Sequence, residues 1–215
     1  MKTCLVLEGG AMRGMYTAGA LDVFYNAGIQ FDGIIGVSAG AAFGVNYLSR
    51  QPGRVIRYNK RFNADHHYMG LIPLLKSGNI INTAYAYDKV PRELDPFDGD
   101  TFDASGVPFW AVVTNVETGQ PEYIRLEHAM AQMDVIRASA SMPFVSKPVN
   151  IDGKLYLDGG MEVARKFILP FITEGKHAEA DYKTRLQEIV QQNPEERLSY
   201  VVESESGPDH DKHFV

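Results

Sequence analysis

The hydrophobic residues of the first fifty positions alternate between two spacings. Residues 3–7 are a short apolar run that reads as a buried strand, and residues 9–14 are a glycine-rich turn. From residue 16 to 27 the spacing changes to helical, with Ala20, Leu21, Phe24 and Ala27 on one side, and Gly28 is a stop signal. Residues 31–37 form a second apolar run. Ser38 stands at its end, and residues 39–48 read as a helix of small side chains. Two successive strand–turn–helix units predict an α/β domain with a largely parallel sheet.

The pattern loosens over residues 50–108, where prolines, glycines and aromatics predict long loops and short helices. Residues 109–115 predict a strand and residues 126–139 a helix. Residues 149–151 and 154–157, joined by Asp152-Gly153, predict a β-hairpin with a two-residue turn, and Asp158 lies where its second strand ends. Beyond Gly160, residues 162–172 and 182–192 have amphipathic helical spacing. Residues 161–215 hold seven Lys and Arg against eleven Asp and Glu, most of the chain's net charge of −6. This shift places a domain boundary near residue 160, dividing the chain into 1–160 and 161–215.

Composition narrows the class. With 45% hydrophobic residues in 215, the chain can bury an ordinary core. Its acidic balance argues against a broad nucleic-acid-binding surface. Cys4 is the single cysteine, so no internal disulfide and no multi-cysteine zinc site can form, which suits a reducing cytoplasm. Glu8 interrupts the first apolar run too early for a secretory signal, and no stretch approaches the roughly 20 apolar residues of a membrane span. A lipid substrate would therefore be met from the water side.

Two motifs carry chemistry. Gly36-Val37-Ser38-Ala39-Gly40 matches G-x-S-x-G, in which a serine on a tight strand-to-helix turn projects its hydroxyl above the sheet while small neighbours let strand and helix approach. The competing reading is a structural turn with a serine helix cap. Gly9-Gly10-Ala11-Met12-Arg13-Gly14 also follows a strand and opens a helix, so it can aim several backbone N–H groups at one oxyanion. A phosphate-binding loop is the alternative, but neither G-x-G-x-x-G nor the Gly-Lys-Ser/Thr ending is present. Arg13 either stabilises charge or braces the loop, and bracing is the preferred expectation.

A nucleophilic serine needs a base. None of the six histidines, His66, His67, His128, His177, His210 and His213, has a recognisable catalytic context. Asp158-Gly159-Gly160 offers a carboxylate at a strand end, with glycines that let the chain turn away. Asp152-Gly153 instead suits a hairpin turn.

Together these elements resemble the patatin-like phospholipase family, which combines a glycine-rich oxyanion loop, a G-x-S-x-G serine and an Asp-Gly-Gly/Ala aspartate. The likeness covers about residues 2–160. It extends through residues 8–21 (EGGAMRGMYTAGAL), 112–119 (VVTNVETG), 138–144 (ASASMPF) and 151–160 (IDGKLYLDGG), and looks closest to the bacterial cytoplasmic branch. Ala11 departs from the third glycine of many members, though its N–H survives. The resemblance implies a three-layer sandwich around a mainly parallel sheet. It implies a Ser38–Asp158 dyad without histidine, an oxyanion held by the amides of Gly9 to Met12, and an acyl-Ser38 intermediate. No metal or organic cofactor is implied. The expected partner is a lipid or another acyl ester, met through peripheral contact with a membrane.

Residues 155–215 resemble ribonuclease III instead, at the last helix of its nuclease domain and the start of its double-stranded-RNA-binding domain. The matching stretches are residues 156–168 (YLDGGMEVARKFI), 181–191 (DYKTRLQEIVQ) and 204–214 (SESGPDHDKHF). Tyr-Leu-Asp-Gly-Gly is common to both likenesses, which predicts a fusion at residues 156–160. On this reading the patatin-like domain is C-terminally truncated and carries a helical, partial α+β tail. The resemblance places Thr184, Gln187, Glu188 and the loop of Gly207, Pro208 and His210 toward an RNA minor groove. The family's acidic nuclease signatures and basic helix are absent, so RNA binding is expected to be poor. Asp209, His210, Asp211 and His213 fit that loop better than a metal site. The leading expectation is thus a serine acyl-ester hydrolase. The alternatives are a catalytically inactive fusion and a ribonuclease-derived RNA-binding fragment, and an uncovered sheet edge would favour self-association.

Overall fold

The computed structural model describes residues 2–63, 65, 67–160 and the strand pair 205–206 and 213–214. The chain divides into two compact units, Met1–Leu169 and Pro170–Val215.

The first unit is built on a six-stranded mixed sheet in the order β1-β2-β3-β6-β5, with β4 also paired to β3. Strands β1 (Cys4–Leu7), β2 (Gly33–Val37) and β3 (Phe109–Asn115) run parallel, as the repeated strand–helix units predict. The hairpin β5 (Val149–Ile151) and β6 (Lys154–Asp158) turns at Asp152-Gly153, both at positive φ, and β6 joins β3 antiparallel.

Helices α1 (Gly14–Asn26), α2 (Ala39–Leu48) and α6 (Met133–Ser139) stack on one face. There Leu7, Ile34, Phe109 and Ala111 of the strands meet Ala41, Val45, Val135 and Ile136 of the helices in a buried core. The opposite face presents Val6, Tyr123 and Leu155 to solvent. Of the three layers expected, the described residues thus supply the sheet and one helical layer.

The loose middle of the sequence folds into short helices: α3 (Arg54–Phe62), α4 (Leu71–Ser77), a π-helix (Tyr85–Leu94) that contains Pro91, and α5 (Gly99–Asp103). Two anchors organise it. Buried Asp95 accepts a bidentate pair from Arg57 (2.8 and 2.8 Å) and lies 3.3 Å from Arg54, whose remaining donors go to Asn46 Oδ1 and backbone carbonyls. The rings of Phe62, Tyr68 and Tyr85 meet at 5.8–6.1 Å between centroids. The aromatic-rich stretch therefore packs as a second core against Ala18, Ala39 and Phe43.

Three expectations are corrected. The helix expected over residues 126–139 is shortened to α6 at its C-terminal end: Leu126 closes a strand, β4 (Pro121–Leu126), and residues 127–132 form a capped turn before α6. Alternation explains this: Ile124 and Leu126 face the core while Tyr123 and Arg125 face out, and Asn115 Oδ1 accepts the Glu117 and Thr118 N–H groups to close the β3–β4 hairpin. Gln132 Oε1 then accepts from Glu127 and His128 N–H, filling the gap before α6. The turn of residues 9–14 contains a 3-10 turn, Ala11–Arg13, and α1 starts at Gly14 rather than residue 16. Strand β2 begins at Gly33, two residues later than expected.

In the second unit, β7 (Glu205–Ser206) pairs antiparallel with β8 (His213–Phe214). The helices expected over 162–172 and 182–192, with Thr184, Gln187 and Glu188, lie outside the described residues.

Candidate active site

The site grows from the register of β3. Strand β2 ends with Val37 paired to Val112, and β6 enters from the opposite direction and ends with Asp158 paired to Val113. The residue that follows β2 and the residue that ends β6 therefore meet across consecutive positions of one strand. Ser38 Oγ donates to Asp158 Oδ2 at 2.6 Å, and both side chains are buried.

Ser38 sits at φ 54, ψ −120, a strained conformation for a non-glycine residue, immediately before α2. The elbow is tight because its glycines allow contact that no other residue could. A Cβ on Gly36 would lie 2.6 Å from Ala41 Cα, and one on Gly40 would lie 2.2 Å from the Leu7 carbonyl oxygen. Sequence reading assigned no role to Ser139, yet its hydroxyl accepts from Ser38 N–H (2.9 Å) and donates to the Val112 carbonyl (2.7 Å). Ser141 O accepts from Asp158 N–H at 2.9 Å, so the end of α6 holds both halves of the pair. The clue in the sequence was a run of serines at the end of an apolar helix, Ser139 and Ser141, where polar groups must be hydrogen-bonded if buried.

Asp158 is further held by Gly160 N–H on Oδ1 (2.7 Å), and Thr114 Oγ1 donates to its backbone carbonyl (2.9 Å). Burial pushes its carboxyl above the usual range, and the hydrogen bonds from Ser38 and Gly160 oppose that only in part. Its proton affinity is thereby moved toward what a general base needs near neutrality. Gly159 passes so close to β3 that a Cβ would lie 2.2 Å from the Val112 oxygen.

The glycine-rich loop lies directly against the elbow. A Cβ on Gly9 would stand 2.9 Å from Ser38 Cβ, and one on Gly14 2.8 Å from Ala39 Cβ. Among the described residues, the N–H groups of Gly10, Ala11 and Met12 make no backbone hydrogen bond, which leaves them available to an oxyanion. The N–H of Ala39, first in α2, is likewise without a partner there, and sequence reading had not singled it out. Ala11 adopts φ 48, the left-handed region where a glycine would be unstrained. Arg13 makes no side-chain hydrogen bond or ion pair among the described residues, so the bracing expected of it finds no partner there.

Of the histidines, His67 bonds Asp65 (3.0 Å) and His128 bonds Asp103 (2.8 Å), both on the surface. His128 is held above its ordinary value by Asp103. Neither touches Ser38. His66, His177 and the Asp209–Asp211 stretch fall outside the described residues, as does any side-chain role of His210 or His213. Asp152 lies in the hairpin turn, as expected.

A cleft of about 1070 Å³, its open mouth included, runs from Ser38, Ala11 and Met12 to Tyr58, Tyr68 and Phe97. Its walls are mostly aliphatic and aromatic, with Met69, Ile81, Val90 and Met142 among them. Arg54 reaches the cleft, but its guanidinium is hydrogen-bonded to Asn46 and to the Asp95 and Pro96 carbonyls. Burial keeps the Tyr58 and Tyr87 phenols neutral and pushes Tyr68 up to about 12. The cleft is thus a mostly apolar channel that opens on the serine hydroxyl, with Arg54 the charged side chain in its wall.

A strained serine between strand and helix, a buried carboxylate on its hydroxyl and a glycine-rich loop beside it come together at the strand ends of an α/β domain. A family model for patatin-like phospholipase matches residues 5–167, and the chain belongs to that family. It is 32% identical over 169 residues to the uncharacterized protein YjjU of Escherichia coli (strain K12), covering 76% of this chain and 46% of that protein. The C-terminal region matches a different group. Ribonuclease 3 of Desulforamulus reducens is 44% identical over 69 residues, covering 29% of this chain and 28% of that protein. Ribonuclease 3 of Bdellovibrio bacteriovorus is 49% identical over 72 residues, covering 30% and 31%. The chain spans about half the length of YjjU and under a third of each ribonuclease.

Proposed function

We propose that the chain is a serine hydrolase of acyl esters that works through a Ser38–Asp158 dyad. The observation that carries this reading is the 2.6 Å hydrogen bond from Ser38 Oγ to Asp158 Oδ2 at the head of an apolar cleft. Asp158 accepts the hydroxyl proton as Ser38 Oγ bonds to the acyl carbonyl carbon. The negative charge that develops on the carbonyl oxygen is received by the N–H groups of Gly10, Ala11 and Met12, each such donor being worth about 3 kcal/mol in the transition state. The tetrahedral adduct collapses, the carbon–oxygen bond to the alcohol breaks, and Asp158 returns the proton to the departing oxygen. Water then attacks acyl-Ser38 as Asp158 takes its proton, the bond from the acyl carbon to Ser38 Oγ breaks, Asp158 returns the proton to Ser38 Oγ, and the free acid leaves. The mechanism uses this chain's own groups throughout.

The substrate class is a lipid or other ester whose acyl chain fills the cleft. A reducing compartment, the cytoplasm, suits a chain whose single cysteine, Cys4, is exposed and free. No helix among the described residues is long and apolar enough to cross a membrane, so the lipid is met at a surface. The exposed Val6, Tyr123 and Leu155 on the sheet's outer face favour self-association. The test is turnover of a chromogenic ester series by the wild type, Ser38→Ala and Asp158→Asn. The reading fails if either variant keeps wild-type turnover.

A second reading concerns residues 161–215 and rests on the ribonuclease 3 matches. We infer that this region is a fused ribonuclease-like piece with little affinity for RNA, given its excess of acidic residues. Salt-sensitive retention on double-stranded RNA would overturn that.

A further inference from the structure

The segment between Met69 and Ile81 leaves the cleft wall, forms α4, and returns to it. Its neck is closed by a bridge between Met69 and Ile81 and by Gly70 N–H bonded to the Ile80 carbonyl (2.8 Å). Met69, Ile80 and Ile81 all line the cleft. Beyond the neck α4 turns its apolar side chains to solvent: Leu71 is 73% exposed, Leu75 85%, and Ile72 47%. A second element stands beside it. Met142 lines the cleft, and two residues later Phe144 is fully exposed at φ 68, a conformation a bulky residue rarely holds. The two elements are tied together: Ile80 N–H bonds the Val145 carbonyl (2.7 Å), and Lys147 N–H bonds Asn79 Oδ1 (2.8 Å).

The charge on this surface differs from that of the chain. Residues 69–81 and 142–148 contain Lys76 and Lys147 and no acidic residue, in a chain of net charge −6. Both lysines are exposed, and neither forms an ion pair among the described residues. The Lys147 stem lies over Gly78 at the end of α4, 2.7 Å from where a Cβ would stand. Four exposed apolar side chains with two cations at their border make the pattern of a segment that sits in a lipid headgroup layer. The apolar groups enter the acyl boundary and the ammonium groups meet anionic headgroups.

We propose that α4 and the Phe144 loop form a docking surface for an anionic membrane, which seats the cleft mouth on the lipid layer. Leu71, Ile72, Leu75 and Phe144 insert, and Lys76 and Lys147 pair with phosphate. What the docking serves rests on the acyl-ester reading of the cleft, whereas the docking itself does not.

The test is co-sedimentation of the full chain with phosphatidylcholine vesicles, with and without phosphatidylglycerol. The wild type is expected to pellet with the anionic vesicles and to release as salt rises. Leu71→Asp/Leu75→Asp is expected to bind at least about tenfold more weakly, since two leucines no longer leave water. It should keep wild-type melting temperature and wild-type turnover of a water-soluble short-chain ester. Lys76→Glu/Lys147→Glu is expected to lose the preference for phosphatidylglycerol, and Ser38→Ala to pellet like the wild type. A wild type that stays in the supernatant, or a leucine variant that pellets equally well, overturns the proposal. Pelleting without ester turnover leaves the surface standing and counts against the catalytic reading alone.

Discussion

Ser38 and Asp158 are 120 positions apart in sequence, yet the hydroxyl of one lies 2.6 Å from the carboxylate of the other. Strand β3 makes the contact: Val112 pairs with the residue before the serine, and Val113 pairs with the aspartate. Because Ser38 follows a parallel neighbour and Asp158 ends an antiparallel one, neither needs a long side chain to span the gap. The short Ser–Asp bond therefore follows from sheet register.

Ser139→Ala tests how far the end of α6 holds that geometry. The substitution removes the acceptor of Ser38 N–H and the donor to Val112 O, leaving two buried backbone groups unsatisfied. A loss of about 1–3 kcal/mol is expected, with kcat falling more than KM rises. Urea unfolding and steady-state kinetics on a soluble ester check both.

The raised carboxyl of Asp158 sets two pH dependences. Activity requires the carboxylate, so its acidic limb should lie above the ordinary aspartate range. Stability runs the other way. Between the unfolded and the folded value the native state holds a proton that the unfolded chain has released, so this group makes the fold less stable as pH rises through that window. Asp158→Asn should thus gain stability relative to the wild type as pH rises from the unfolded aspartate value to neutrality, while activity is lost. Thermal melts of both proteins across that range measure it, and an unchanged difference would contradict it.

Ala11→Gly should relieve strain. An L-residue in the left-handed region costs about 1–2 kcal/mol, partly offset by the greater freedom glycine gives the unfolded chain. The melting temperature is expected to rise slightly with turnover retained, since the N–H is unchanged. A fall in both would mean that the Ala11 methyl has a packing role.

Gly40→Ala and Gly159→Ala should each fail to fold normally, because the added Cβ would lie 2.2 Å from a carbonyl oxygen of a neighbouring strand. A penalty of about 3 kcal/mol or more is expected, read as loss of the cooperative melt.

Much of this site was legible in the sequence, and for a physical reason. Gly36-x-Ser38-x-Gly40 and Asp158-Gly159-Gly160 place small residues where strands and helices nearly touch, a demand that local sequence records directly. Helix α2 and the hairpin turn at Asp152-Gly153 were equally plain, since spacing and turn chemistry agree there. Strand β4 was not: its alternation is short, and the apolar residues after Leu126 continue it into helical spacing. Ser139 was missed because its value lies in joining Ser38 to Val112, partners 101 and 27 residues away, which no local window contains. The exposed face of α4 was hidden for a similar reason, since an apolar segment reads as core until its neighbours are known.

The most direct measurement is labelling of the full chain with a fluorophosphonate probe, read by intact mass and peptide mapping, with Ser38→Ala beside it. The account predicts one adduct, on the peptide carrying Ser38, and none on the variant. A folded wild type that takes no label, or takes it elsewhere, would contradict the Ser38–Asp158 dyad.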